Sequence, residues 1–367
     1  MLTAAAATTY DGSAQPRWIA EWYMEEIREK IHLRRRWLYG SNRGLVCNFQ
    51  QVTMPFSHHS HSGEFCRHAK GTLDQVVRSA VDKQFRLFGL SEHAPRYRTE
   101  DLYPEENDML PQDTTNVFAE YVTEAHRLKE AYRSQIALLV GLETDYITEL
   151  DLQRTQSLLQ HYNNSDTPIE YIVGSVHHAF EIPIDFDEQT FHKALDKAGS
   201  RERLYVEYYT RLLHLVKTLQ PEVVGHIDLI RLYEPHIRLQ EYPDAWKLLD
   251  EIVQYTASYG GLIEVNAAAV RKGWATPYPA ADILTLVQTH KARLTLSDDT
   301  HTPENVGLNY WRVFEYLKSH DIRDLYHLES CDRGAEGAGR RGYTVVKKYD
   351  GLWSTDDFWR TCNPSWK

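Results

Sequence analysis

Imidazoles and carboxylates recur in this chain directly after short apolar runs. His58-His59-Ser60-His61 follows the first run, with His68 a few residues on, and Ser91-Glu92-His93 closes the second. Glu143-Thr144-Asp145 ends the third, His177-His178 the fourth, His226-Ile227-Asp228 the fifth and Asp298-Asp299-Thr300-His301 the seventh. Side chains two apart on extended backbone share a face. His59 and His61 can therefore grip one cation while His58 points elsewhere, and Asp299 and His301 repeat that spacing. Glu143, the last acid of its run, is the candidate bridge. His59, His61, His68, His93, Glu143, His177, His226, Asp299 and His301 are too many donors for one ion, so two or three are implied. Mixed imidazole and carboxylate donors suit Zn, Mn or Fe better than Ca or Mg alone. No organic cofactor is called for.

Donors so scattered along a chain need a frame that gathers them. Strand-like runs are expected near 53–58, 86–91, 136–142, 170–175, 222–227, 261–266 and 293–298. Helical periodicity fills most of the gaps. Leu73, Val76, Val77, Ala80 and Val81 lie on one face behind Thr72, a candidate N-cap. The patterns over 117–132, 201–219 and 243–260 read the same way, the last ending in the stop signals Gly260 and Gly261. Strand and helix alternating this often imply a parallel sheet with right-handed crossovers. Seven units within roughly 250 residues suit a closed α/β barrel. Six of its seven strands then present His, Asp or Glu at their C-terminal ends, the face on which barrels build active sites.

Composition removes several other classes. The 367 residues include 41 basic and 52 acidic ones, a formal charge of −11, which disfavours a general binder of nucleic acid. No apolar run approaches the ~18 residues of a membrane span. The four cysteines form no CxxC pair, so neither a disulfide framework nor a thiolate zinc site is indicated, and Cys66 reads as a buried packing residue. Histidine is the over-used residue, at 18, and its other copies fall mostly on helical or turn segments.

The two ends differ from the middle. Residues 1–53 read as an N-terminal extension, with an amphipathic pattern over 18–38 and neither the apolar core of a signal peptide nor a transit-peptide pattern. A cytoplasmic location is the expectation. The catalytic body is expected over 54–328. Residues 329–367 read as a peripheral tail with a flexible Gly/Arg stretch, in which TVVKKY and the Trp-rich end could pack as a strand and a short helix.

The segments HSHSGEFCRHA (59–69), SEH (91–93), GLETD (141–145), GSVHH (174–178), GHIDLIR (225–231), IEVNAAAVRKG (263–273) and LSDDTHTPENVG (296–307) resemble the PHP superfamily. The likeness is to its histidinol-phosphate phosphatase branch, with IPIDFD (182–187) as a further mark. It runs in motif order over about 54–318. The resemblance implies a distorted (β/α)7 barrel with a trinuclear site that hydrolyses L-histidinol phosphate, a small-molecule step of histidine biosynthesis. It implies His59, His61, Glu143 and Asp299 on one ion, Glu143, His177 and His226 on a second, and His68, His93 and His301 on a third. Asp298 stays open as an alternative to Asp299, because members of the branch often carry a shorter S-D-x-H run.

Phosphate calls for planar or point cations. Arg231, Arg271 and Lys272 are the candidates, with Asn266 and His178 as further substrate contacts. Asp145 and Glu264 are candidates for the cationic end of the substrate. Glu143, His226 and Asp228 are the candidate catalytic groups, the latter two for assisting the leaving alkoxide.

Overall fold

A computed structural model describes residues 54–362, so the expected N-terminal extension lies outside the described residues. Seven parallel strands form one sheet in the order β1 (Phe56–Ser57), β2 (Leu87–Leu90), β3 (Ala137–Glu143), β4 (Tyr171–Gly174), β7 (Val223–Val224), β8 (Leu262–Asn266) and β9 (Arg293–Ser297). Each coincides with an expected run. The strand order follows the chain, as successive βαβ units wound in one direction produce. The gap between first and last strands is spanned by a Ser60–Thr300 bridge, in which His61 N donates to Thr300 O at 2.8 Å, and by Ser57 Oγ donating to Asp298 Oδ1 at 2.9 Å. The result is a nearly closed barrel. The interposed β5 (His178–Ala179) and β6 (Ile182–Pro183) form a small hairpin beside it.

The outer helices follow from local sequence. α1 (Leu73–Asp82) begins at Thr72, whose hydroxyl accepts from Gln75 N while the Gln75 side chain accepts from Thr72 N. This reciprocal box satisfies two otherwise orphaned donors, and α1 buries Leu73, Val76, Val77 and Ala80. Around the barrel follow α2 (Pro111–Tyr132), α3 (Glu149–Asn163), α4 (Glu188–Ala198), α5 (Arg201–Leu219), α6 (Pro243–Tyr259), the short α7 (Ala268–Arg271), α8 (Ala281–Thr289) and α9 (Tyr310–Ser319). Gly260 ends α6 at φ +79°, a left-handed turn that glycine adopts without steric cost. Among the described residues no helix is long and apolar enough to cross a membrane.

One interior side chain shapes the floor under the strand ends. Tyr171 on β4 lies across the barrel and its hydroxyl donates to His58 O at 2.9 Å. A Cβ at Gly89 would meet that hydroxyl at 2.2 Å and one at Gly141 would meet the ring at 2.4 Å. Glycine at both positions leaves room for the ring.

The tail forms the expected strand and short helix, but its hairpin begins before the expected division. β10 (Tyr326–Ser330) pairs antiparallel with β11 (Thr344–Lys348), so the division expected at 328/329 falls inside a strand. Leu328 N donates to His58 Nε2 at 3.0 Å, tying the hairpin to the barrel. Trp353 and Trp359, the latter on α10 (Trp359–Cys362), are almost wholly buried. The segment is therefore not peripheral, because two indoles with a large apolar area each hold it down despite the Gly/Arg-rich connection.

Candidate metal centre

Glu143, the last residue of β3, is the hub of the strand ends and is buried. Its Oε1 lies 3.0 Å from His226 Nε2, 3.1 Å from His59 Nε2 and 3.3 Å from His177 Nε2. Its Oε2 lies 3.0 Å from His93 Nδ1 and 3.4 Å from His61 Nε2. Asp299 Oδ1 approaches His61 Nε2 and His301 Nδ1 at 3.5 Å and His59 Nε2 at 3.7 Å. His68 Nε2 lies 3.3 Å from His93 Nε2 and 3.2 Å from Cys66 Sγ. All nine expected donors thus share one cluster. Five overlapping trios have ligand atoms within 4.8 Å of one another: His59/His61/Glu143, His59/His226/Asp299, Glu143/His177/His226, His61/His93/His301 and Cys66/His68/His93.

A second layer aims the imidazoles. Glu264 Oε2 takes the far nitrogen of His59 at 3.1 Å, while its Oε1 accepts from His226 N at 2.5 Å and Asn266 Nδ2 at 2.8 Å. Glu92 accepts from Ser62 N and Oγ and lies 3.5 Å from His61 Nδ1. His301 Nδ1 donates to Asp299 O at 3.0 Å. A carboxylate or carbonyl on one ring nitrogen sets the tautomer and turns the other lone pair toward the centre.

Charge balance inside the cluster is uneven. Burial alone would raise the carboxyl of Glu143, but His59, His177 and His93 hold it well below the usual range. Asp299 is held down in the same way by His59, His61 and His301. Burial would lower His59, yet Glu143, Asp299 and Glu264 raise it well above its ordinary value, and His61 is lifted to about 10 against burial by Asp299, Glu143 and Glu92. His68 is lowered to about 4 by burial and by His61, and His93 and His301 fall for the same two reasons. Too many imidazoles compete for two acids. His59 Nε2 and His61 Nε2 are buried and make no hydrogen bond, which fits residues arranged to hold cations.

Asp298 and Asp299 separate cleanly. Asp298 accepts from Ser57 Oγ at 2.9 Å and Gly307 N at 2.6 Å, which turns it away from the cluster. Asp299 faces the imidazoles with a backbone φ of +47°. That left-handed conformation is tolerated by aspartate and invisible in the sequence.

Four expected substrate or catalytic contacts do not reach the cavity. Arg231 is buried, donating to Asp228 Oδ2 at 2.7 Å, Asp282 Oδ2 at 3.0 Å and Ile237 O at 2.9 Å. Its partners occupy it in the fold. Asp228 Oδ2 accepts from Arg231 and from Ala280 N, and the residue does not line the cavity. Asn266 is used by Glu264 and by Ala268 N, and His178 Nδ1 contacts Asp145 at 3.2 Å. Asp145 itself ion-pairs with Arg96, and Glu264 lies beneath His59 rather than at the mouth.

A cavity of about 280 Å³ opens over the cluster. Arg271 and Lys272 line it as expected, Arg271 held by a 2.8 Å bond from Nη2 to Asp299 O. Tyr103, Glu105, Asp185 and Phe186 also line it and were not expected. Tyr103 and Glu105 carry no pattern that marks them. Asp185 and Phe186 sit within IPIDFD, a signal read as a family mark and not as a wall of the site.

Fold and cluster together define a class: a parallel barrel that gathers imidazoles and acids at its strand ends around a substrate-sized cavity. The chain belongs to the PHP family, whose domain model matches residues 57–268. It is 43% identical over 82% of its length, and 96% of the relative, to a Schizosaccharomyces pombe protein named "Probable histidinol-phosphatase". It is 29% identical to the Saccharomyces cerevisiae histidinol-phosphatase over 83% of this chain and 98% of that one. A solved histidinol phosphate phosphatase from Lactococcus lactis, complexed with zinc, L-histidinol and phosphate, shares the fold. Its TM-score is 0.54 at 19% identity, covering 74% of this chain and 95% of that one.

Proposed function

We propose that this chain hydrolyses L-histidinol phosphate to L-histidinol and inorganic phosphate, in the cytoplasm, with a cluster of two or three divalent ions (Zn, Mn or Fe). The observation that carries the reading is the convergence of seven imidazoles with Glu143 and Asp299 beneath a cavity walled by Arg271 and Lys272. Relatives bearing the histidinol-phosphatase name over nearly their full length support the choice of substrate. Residues 54 onward are read as the catalytic body.

Phosphomonoester hydrolysis is among the slowest uncatalysed reactions, so the site must remove ~20 kcal/mol or more of barrier. Divalent ions held there would supply an acidified water and neutralise phosphoryl oxygens. Glu143, shared between the two trios built on His59/His61 and His177/His226, would bridge; His68, His93 and His301 would serve a third position. Glu264 and Glu92 keep His59 and His61 aimed, so the site is organised before substrate arrives. Arg271 is fixed through Asp299 O and presents its remaining N–H groups to the cavity, where a guanidinium can bind phosphate oxygens. His226 Nε2 lies 3.0 Å from Glu143 Oε1 and would serve as a ligand, which would leave that nitrogen no proton to give the leaving alkoxide.

Phosphate release from histidinol phosphate and from a panel of nucleotide and sugar monoesters tests the assignment. The expected result is a kcat/KM for histidinol phosphate at least about a hundredfold above the panel, a gap of ~2.7 kcal/mol. Activity should disappear with chelator and return with Zn or Mn, and elemental analysis should find two or three ions per chain. A flat panel would overturn the substrate, and activity indifferent to chelator would overturn the metal reading.

A further inference from the structure

The cavity lining combines two kinds of chemistry: the cations Arg271 and Lys272, and the acids Asp185 and Glu105 beside the rings of Tyr103 and Phe186. Tyr103 and Phe186 stack with ring centres 5.9 Å apart and planes 16° apart, and Tyr103 meets His68 edge-on at 6.1 Å. The guanidinium of Arg96 lies 4.7 Å from the Tyr103 ring centre. Phe186 is nonetheless 39% exposed. An aromatic wall therefore runs outward from a candidate ligand to solvent, with apolar surface still uncovered.

Asp185 sits on the segment between β6 and α4. That segment is anchored by Ile184 N donating to His177 O at 2.9 Å, which ties Asp185 to the strand end bearing a candidate ligand. The Asp185 side chain is only 16% exposed, and Lys272 Nζ stands 3.8 Å from its Oδ2. At that separation the two attract without a hydrogen bond. A carboxylate accepts at about four lone-pair positions, so Asp185 keeps capacity for a stronger donor.

We propose that Asp185 is the specificity residue that receives the primary ammonium group of the substrate. The Tyr103–Phe186 wall would back the imidazole, and Lys272 would pass from Asp185 to the phosphate on binding. The inference rests on the phosphatase reading above and deepens it. A substrate anionic at one end and cationic at the other satisfies both halves of the Lys272–Asp185 pair at once. A simple phosphomonoester satisfies only Lys272 and strands the carboxylate. Because the net charge of −11 opposes phosphate approach, this local exchange admits the anion without leaving Asp185 unpaired.

The test compares Asp185→Asn with the wild-type enzyme on histidinol phosphate and on 4-nitrophenyl phosphate, which has no amine. The expected result is a KM for histidinol phosphate raised at least about tenfold, the loss of one charge-assisted contact. Turnover of 4-nitrophenyl phosphate should be kept or rise, because Lys272 is then released to the phosphate without stranding a carboxylate, and metal content should stay close to wild type. Equal losses on both substrates would reduce Asp185 to positioning Lys272, and no change on either would remove it from the site; both overturn the proposal. Should the variant fail to fold, inhibition of the wild-type enzyme decides. L-histidinol must compete at least about tenfold better than its deaminated analogue, and equal inhibition overturns ammonium recognition. If wild-type enzyme cleaves 4-nitrophenyl phosphate but not histidinol phosphate, the substrate assignment itself has failed, a result distinct from any outcome with Asp185→Asn.

Discussion

Glu264 Oε2 lies 3.1 Å from His59 Nδ1, and both side chains are wholly buried. The acid sits one layer below the cluster, where it holds the His59 ring with Nε2 toward Glu143. Its other oxygen holds His226 N, so one carboxylate orients the ends of two strands. Replacing it with glutamine keeps the shape and removes the charge. Metal affinity in Glu264→Gln should fall about 10- to 100-fold, read as metal retained after dialysis against graded chelator. Unchanged retention would show that His59 is oriented by packing alone.

The neighbouring aspartates should behave differently. Asp299→Asn is expected to lower bound metal and to reduce kcat by about a thousandfold, equivalent to ~4 kcal/mol of lost charge stabilisation. Asp298→Asn should retain its metal and lose about 1–3 kcal/mol of stability through the bonds to Ser57 and Gly307. Paired elemental analysis and urea unfolding separate the two. A metal-depleted Asp298→Asn would reverse the assignment.

Arg231→Met should leave KM for phosphate substrates within about twofold, because the guanidinium never faces the cavity. It should instead cost about 3–5 kcal/mol of stability, since Asp228 and Asp282 lose a buried cation. Steady-state kinetics beside thermal unfolding measures both. A large rise in KM in a well-folded variant would restore Arg231 to the phosphate.

His58 supplies a pH signature away from the cations. Burial and the nearby His327 lower its pKa to about 3 from an ordinary 6.5, and its Nε2 accepts from Leu328 N. The folded state therefore favours the neutral ring. That contribution is complete above about pH 6.5 and drains away as pH falls toward 3, because the unfolded chain binds the proton first. Between pH 6.5 and 5, chelated wild-type protein should lose up to about 2 kcal/mol more than His58→Gln. Urea unfolding at the two pH values gives the difference, and parallel losses would show that the hairpin does not depend on a neutral His58.

Much of this architecture was legible beforehand, for reasons that are local. Thr72 announces the start of α1 as its N-cap, and Gly260 announces the end of α6. The runs that became strands are apolar because a barrel strand is buried on both faces. The two-residue spacing of His59 and His61 sets their common face wherever β1 lies. Trp353 and Trp359 were harder to place, since an indole in a Gly/Arg-rich tail does not state what it will bury against.

The linear chain thus determined which atoms were on offer: imidazoles and acids at strand ends, seven strands, and the period that turns His58 away from His59. Tertiary structure alone decided which polar groups meet each other. Arg231 found Asp282, 51 positions away, while Arg271 came to line the cavity; Asp299 turned inward on a left-handed backbone while Asp298 satisfied Gly307; Asp185 came to stand 3.8 Å from Lys272. A charged side chain is promiscuous in sequence and becomes specific only once burial removes water as its alternative partner.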